Sequence, residues 1–497
     1  MPRTNVLKYL VSHVVLRRVR AALVAALAIH ASACAPTRLT SGGSGASALR
    51  QRPSDGVTIA LTAKLEAGFD ALSVVFEHNG FEIDERRSTR RLLITRPRSL
   101  HGDTTMVVRA DFVAVDLAGT ATIVALSATY SSPSAHAVNA RVARMNFLSV
   151  GPWSTLTTLG DALRASAFAE QLDALRQSEH IPGLAVVVLR DTNVILARGF
   201  GFANIAQQIL VSPQTPFNIA SVSKPISAVV ALRLAERGLL DLDRRMMSFS
   251  GFAAFCADAR ASGGIFFNDY QCDAPTLTLR RVLSMTANGD PGRTFLYNPP
   301  SYSWASRPMA EVSHTSFSEL VQELVFGPAG MSRSARIHRS LALRESLASD
   351  LARPYHLDSL GRFVPSDAPP PQGDGAAGGV ISTAMDLAHF DIALTNDQLI
   401  SAPSKQLMWT ASPSPSGSTL PYGLGWFVQR VAGETLLWHS GLWEGAYSAL
   451  YLKVPSRHLT LILLANSDGL RWESRLNEAA VERSPFAAAF LKAFRPE

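Results

Sequence analysis

Residues 215–243 read TPFNIASVSKPISAVVALRLAERGLLDLD. From Val222 to Glu236 the apolar residues Ile226, Val229, Val230, Leu232 and Leu234 recur at helical spacing, and Gly238 closes the pattern. Pro225 is compatible with a helix because it falls in the first turn. Ser221 therefore sits at a helix N-terminus, where unpaired backbone N–H groups and the helix dipole favour a developing oxyanion or alkoxide. Lys224, three residues on, shares its face. A Ser hydroxyl alone is a weak nucleophile and needs a base. A Lys partly desolvated in a cleft has a lowered pKa and can act as that base, or it can stay charged and stabilise negative charge. The competing reading is a helix-capping Ser beside a solvated Lys. Ser221 opens the only Ser-x-x-Lys in a chain with six lysines. Chance supplies roughly 0.6 such motifs at this composition, so the surroundings must decide.

Outward from this segment, a helix (Phe168 to Ser178) leads through Pro182-Gly183 into two strands, Leu184 to Leu189 and Asn193 to Ala197. Strands return at Gly423 to Gln429, Thr435 to Trp438, Ala446 to Leu452 and Leu459 to Ala465, with mainly helices and loops between the two blocks. The expected fold is α+β: an antiparallel sheet built from both ends and flanked by helices, plus a helical subdomain, over residues 165–482. Residues 55–150 form a separate small α+β domain of unknown role. Val57, Ile59 and Leu61 alternate like a strand, Ala63 to His78 has helical spacing, and Leu92 to Ile94, Met106 to Val115 and Ala121 to Thr129 read as strands.

The N-terminus reads as an export signal over residues 1–33. Arg3, Lys8, Arg17, Arg18 and Arg20 are followed by the short apolar run Ala21 to Ile29, far below the roughly 20 residues needed to span a bilayer. Ala31-Ser32-Ala33 then precede Cys34, which resembles a bacterial lipobox, with lipidation at Cys34; ordinary cleavage nearby is the alternative. Residues 34–54, rich in Ser, Gly, Thr and Pro, read as a flexible tether. The expected location is the periplasm or cell envelope, with a lipid anchor in the membrane. The formal charge of +7 falls by five once the leader cations are set aside, and no dense basic block lies beside stacking aromatics, so nucleic acid is not an expected partner. Arg86-Arg87-Ser88-Thr89-Arg90-Arg91 reads as an exposed turn. After export, Cys256 and Cys272 are the only cysteines left to pair, and a disulfide between them would staple the intervening loop; two separate buried thiols are the alternative.

The run 215–243 resembles the nucleophile segment of the penicillin-recognising serine hydrolases, a superfamily of class C β-lactamases, D-Ala-D-Ala carboxypeptidases, D-aminopeptidases and related esterases. Further stretches match in order: His180-Ile181-Pro182-Gly183, LTLRRVLSMTANG at 277–289, FGPAGM at 326–331, GGVISTAMDL at 378–387 and YGLGW at 422–426. The resemblance covers about 165–470 and implies the β-lactamase/transpeptidase-like fold. It carries Tyr297 over as the motif phenol, lowered in pKa by Lys224, that takes the Ser221 proton and passes it to the leaving group. The family's Tyr-x-Asn has Pro299 at its third position here, which removes a side-chain amide; Asn298 is the expected substitute, and Tyr302 is a second candidate phenol. In place of Lys-Thr-Gly stands Trp438-His439-Ser440-Gly441. By resemblance His439 orients substrate or assists proton transfer, Ser440 and Gly441 line the substrate strand, and the N–H groups of Leu442 and Ser221 form the oxyanion hole.

The expected activity is acyl transfer to Ser221 and hydrolysis of an amide or ester: a D-amino-acid peptide, a β-lactam or a small ester. His-x-Gly and Pro299 weigh against an efficient β-lactamase. The sequence holds no Gly-x-Ser-x-Gly elbow, His-Glu-x-x-His or Cys-x-x-Cys, and neither a cofactor nor a metal is expected. A monomer acting on a small-molecule or peptide substrate is the expected form. The competing class is a catalytically lapsed cell-envelope protein that binds in the same cleft; a purely structural lipoprotein leaves the ordered motifs unexplained.

Overall fold

The computed structural model describes residues 152–338, 345–367 and 373–495, together with strands and a few neighbouring residues within 57–131. Residues 1–56, over which an export signal, lipidation at Cys34 and a tether are expected, lie outside the described residues, as does the expected helix over Ala63 to His78. Among the described residues no helix is long and apolar enough to cross a membrane. The chain divides into two compact units, with the boundary after Ala167.

The first unit contains an antiparallel sheet of β1 (Val57–Leu61), β2 (Leu92–Ile94), β3 (Arg98–His101), β4 (Thr104–Ala114) and β5 (Thr122–Ser131). The order is β1-β5-β4-β2, with β3 also on β4. Helix α1 (Pro152–Ser178) starts earlier than the apolar spacing indicated.

The second unit, from Phe168, is built on β6 (Gly183–Arg190), β7 (Asn193–Asn204) and β8 (Ile209–Leu210), then the short β9 (Phe217–Asn218), β10 (Ala335–Arg336) and β11 (Val380–Ser382), and finally β12 (Phe427–Val431), β13 (Glu434–Trp443), β14 (Tyr447–Val454) and β15 (Leu459–Ala465). The main sheet runs β12-β13-β14-β15-β6-β7-β8, antiparallel throughout. The two ends of the unit meet where β15 pairs with β6, Leu464 opposite Ala185. This is the α+β architecture expected from strands at both ends of the domain. β14 and β15 are buried at every position and β6 at all but its last. Their near-continuous apolar runs, rather than strict alternation, are what strands covered on both faces require.

Helix α2 (Ser223–Glu236) is followed by α3 (Phe252–Ser262), α4 (Pro299–Trp304), α5 (Ala384–Thr395) and α6 (Pro485–Ala493). α2 is buried nearly all round, including Ser223, Lys224 and Ser227, which marks a helix enclosed by the sheet and the helical subdomain rather than one lying on the surface. The end of α1 and α6 share an aromatic contact, with the Phe168 ring 5.8 Å from Phe490 and 5.7 Å from Phe494.

Candidate active site

The segment before Ser221 is held in an unusual conformation. Ala220 has φ 45°, the left-handed region a β-carbon disfavours. Three bonds fix it there. Asn218 Oδ1 accepts from Ala220 N at 2.9 Å, Ser223 Oγ donates to Ala220 O at 2.6 Å, and Val222 N donates to Ile219 O at 3.1 Å. Ser221 lies in the resulting 3-10 turn, Ala220–Val222, and α2 follows directly. Neither helix end has a side-chain cap, so the Ser221 hydroxyl is not spent on capping. Backbone strain of this kind persists only where its surroundings over-determine it, and it clusters at functional sites.

Ser221 is half-buried and Lys224 is fully buried. Lys224 Nζ donates to Ser221 Oγ at 2.7 Å and to the Ala377 carbonyl at 2.9 Å. It lies 5.0 Å from the Tyr297 ring centre and 5.5 Å from that of Tyr302. Among the described residues no carboxylate forms an ion pair with it. Burial without a counter-charge drives its pKa well below the ordinary lysine value. The loop that supplies the Ala377 carbonyl is itself pinned. Ser227 Oγ donates to Ala376 O at 2.6 Å, and the buried Arg336 donates to Gly375 O, Gly378 O and Asp374.

The two candidate phenols separate cleanly. Tyr297 is hydrogen-bonded with Ser221, whereas Tyr302 donates to the backbone carbonyl of Lys224 at 3.1 Å. The lowered phenol pKa expected from Lys224 is not found. Burial pushes Tyr297 above the ordinary tyrosine value, and the bond with Ser221 offsets only part of this. The reason is that the same enclosure desolvates both groups, which favours the neutral amine and the neutral phenol together.

β13 supplies the opposite wall. β12 pairs with it only as far as Phe427 opposite Trp438, so the following residues of β13 lack a ladder partner on that side. The turn bearing Ser221 stands there instead. Gly441 runs so close that a β-carbon on it would lie 2.2 Å from Ile219 O, which makes glycine a steric requirement. Ser440 is half-buried and Leu442, the next residue after Gly441, is 41% exposed. His439 is fully buried and both its ring nitrogens are engaged. Nε2 is 2.9 Å from the Tyr422 hydroxyl and Nδ1 is 2.6 Å from Ser440 O. The Nδ1 contact requires a proton on Nδ1, so Nε2 accepts from Tyr422. Burial, reinforced by Lys224, pushes the His439 pKa well down.

The sequence model of the Beta-lactamase family matches residues 168–483, well over half of the chain. The chain belongs to this family, the penicillin-recognising serine hydrolases. Its β-lactamase-family domain is similar to penicillin-binding protein 4* of Bacillus subtilis, 25% identical over 57% of this chain and 68% of that protein. It is also similar to a D-aminopeptidase of Gluconobacter oxydans, 24% identical over 57% of this chain and 56% of that protein. Among solved structures, the octameric penicillin-binding protein homologue from Pyrococcus abyssi has the same fold, with TM-score 0.52 and 22% identity over 66% of this chain and 77% of that one. Members of the family are mostly serine hydrolases.

Within the β-lactamase-family domain, Asn298 does not stand in for the missing motif amide. It is 1% exposed, and it caps α4 by accepting from Ser301 N at 3.0 Å, while its Nδ2 donates to Phe266 O at 2.8 Å and Asn288 Oδ1 at 2.9 Å. The sequence carries the signal for this: an Asn followed by Pro299 is a helix N-cap with proline in the first position. Cys256 and Cys272 are joined in a disulfide. Two groups escaped the sequence reading, the Tyr422 hydroxyl on His439 and the Ala377 carbonyl on Lys224. Tyr422 opens a quoted stretch and Ala377 lies just before another, but nothing in the sequence tells that either faces the site.

Proposed function

We propose that this chain is a serine hydrolase that forms an acyl-enzyme on Ser221 and hydrolyses an amide or ester. The observation that carries this is a fully buried lysine, without a carboxylate partner among the described residues, whose Nζ lies 2.7 Å from Ser221 Oγ. A free amine held there is a base within reach of the proton it must take. As Oγ bonds to the substrate carbonyl carbon, the Ser221 proton passes to Lys224 Nζ. The carbonyl electrons move to oxygen, in the space between the Ser221 turn and Leu442, where the two backbone N–H groups stabilise the oxyanion. Collapse expels the amine or alkoxide, which takes a proton from the Tyr297 phenol; the Lys224 ammonium restores that proton. Water then attacks the acyl-enzyme by the same relay in reverse, its proton ending on Ser221 Oγ. His439, with both nitrogens occupied, holds Tyr422 and β13 in place and transfers no proton.

The penicillin-binding and D-aminopeptidase relatives favour a peptide or amide with a D-residue as substrate. Pro299 and His439 in place of the family's usual amide and lysine weigh against efficient β-lactam hydrolysis. The test is a fluorophosphonate label read by intact mass, with a panel of a D-Ala-D-Ala peptide, nitrocefin and p-nitrophenyl esters. We expect one adduct on Ser221, absent in Ser221→Ala, and a burst of product from at least one substrate. A folded protein that neither labels nor turns over would be the lapsed binding protein instead. Export and anchoring at Cys34 belong to the same proposal; Cys34→Ser moves the protein from the membrane to the soluble fraction if it holds.

A further inference from the structure

Tyr297 sits at the head of a polar framework that the serine-hydrolase reading does not use. Asn298, the next residue, spends its amide on Phe266 O, Asn288 Oδ1 and Ser301 N. Asn288, also 1% exposed, donates from Nδ2 to Phe266 O at 2.9 Å and Asp269 Oδ1 at 2.8 Å. One turn into α4, the Ser301 hydroxyl is 2.8 Å from the Tyr270 hydroxyl. Gly289 N donates to Asp269 O at 2.9 Å. Phe266, Asp269 and Tyr270 all belong to one insert, which begins with α3 and is closed by the Cys256–Cys272 disulfide. Rings add to the seam: Phe252 lies 4.8 Å and Phe255 5.7 Å from Trp304 of α4.

The segment 288–301 that carries the phenol is thus bonded on one side to the insert. On its other side, the backbone N–H of Tyr297 donates to Leu476 O at 2.7 Å. The insert also buries Phe252, Ala259 and Tyr270, but part of it is irregular. Its residues from Gly263 to Phe267 are turns rather than helix or sheet, and Ile265 is 65% exposed. A loop of this kind stays put through cross-links, and a disulfide across it restricts its opening.

We propose that Asn288, Asn298 and Tyr270 are positioning residues for Tyr297, and that the Cys256–Cys272 disulfide keeps them in place. The inference rests on the serine-hydrolase reading for its kinetic consequence, but not for its structural one. Among the described residues no hydrogen bond joins the insert to Ser221 or Lys224, so its effect on them runs through the segment carrying Tyr297 and through α4. The proposal assigns the effect to Tyr297; Tyr302 of α4, which donates to the Lys224 carbonyl, is the competing route.

The kinetic test is a double-mutant cycle between the disulfide and the phenol. Cys256→Ser/Cys272→Ser is expected to lower kcat about 10-fold with KM changed less than about 2-fold, in protein that remains folded by circular dichroism. In a Tyr297→Phe background the same pair should change kcat less than about 2-fold, because the group it positions is gone. Equal losses in both backgrounds overturn the proposal. Asn288→Asp, which keeps the disulfide and removes the two donors, serves as the second variant should the cysteine pair fail to fold, with the same pattern expected. A spectroscopic arm needs no turnover. In protein carrying 3-fluorotyrosine, the 19F resonance assigned to Tyr297 by its absence in Tyr297→Phe should shift or broaden on breaking the disulfide. An unmoved resonance overturns the proposal, whereas absent turnover with a shifted resonance sinks only the hydrolase reading.

Discussion

Two lysines of the β-lactamase-family domain are almost wholly out of water, and their surroundings differ in kind. Lys224, on α2, has Ser221 Oγ and a backbone carbonyl as hydrogen-bond partners and no counter-charge among the described residues. Lys453, on β14, bonds the fully buried carboxylate of Asp391 on α5 and the Thr460 hydroxyl at 3.1 Å, and Tyr451 and Thr460 donate to the same carboxylate. Burial is common to both, so burial alone does not make a base. A carboxylate partner keeps an ammonium charged; its absence releases the amine. The domain places one buried lysine against a carboxylate, tying α5 to the sheet, and the other against a hydroxyl, where burial pushes its pKa well down.

Exchanging each lysine for methionine separates the two roles. Lys224→Met should reduce turnover by about 1,000-fold or more without a loss of stability. The Ala377 carbonyl loses a donor, but a desolvated amine is removed as well. Initial rates and denaturant unfolding on one preparation measure both. A large loss of stability with Lys224→Met would mean that Lys224 is a structural cation like Lys453. The opposite pattern is expected for Lys453→Met, which leaves Asp391 buried without its counter-charge. That variant should lose about 3–5 kcal/mol of stability, with turnover of the folded fraction within about 3-fold of wild type.

The pH dependence sharpens the same contrast. The Lys224 pKa is lower in the folded chain than in the unfolded one. The unfolded chain therefore binds more protons between the two values, and stability rises with pH across that window. The penalty is absent above the unfolded lysine pKa and complete below the folded one. The stability of Lys224→Met relative to wild type should accordingly increase as pH falls through the window. The acid limb of kcat/KM should show one ionisation, the protonation of the free amine. Equilibrium unfolding and rate profiles from pH 5 to 10 measure both, and parallel stability curves for the two proteins would remove Lys224 as the titrating group.

The smallest expected difference lies between the phenols. Tyr297→Phe removes the group on Ser221 and should lower kcat about 100-fold. Tyr302→Phe removes only a bond to the Lys224 carbonyl, costing about 1 kcal/mol of stability and less than about 5-fold in rate. Equal kinetic losses would show that Tyr302 shares the proton path.

Ser221 and Lys224 were legible because their relation is local: helical spacing puts residues three apart on one face whatever surrounds them. The strands at 184–189 and 459–465 were legible because enclosure on both faces requires unbroken apolar runs, and β6 and β15 span them. Asn298 was misassigned because the missing motif amide outweighed the capping signature beside it, Asn-Pro ahead of a short helix. The approach of Tyr422 to His439 was not legible, since a contact between a loop and a strand 17 residues apart follows no backbone periodicity.

By itself the sequence determined the family, the order of the strands along the chain and the pairing of Ser221 with Lys224 about one turn apart. These rest on short-range geometry and on ordered motifs. Tertiary structure alone decided the direction of the pKa shifts. Whether Lys224 titrates as an ordinary lysine, and whether Tyr297 moves up or down, depends on which groups enclose them and on whether a carboxylate is among those groups. Long-range packing sets both, since pKa values respond to solvent exclusion and neighbouring charge rather than to the residues next in line.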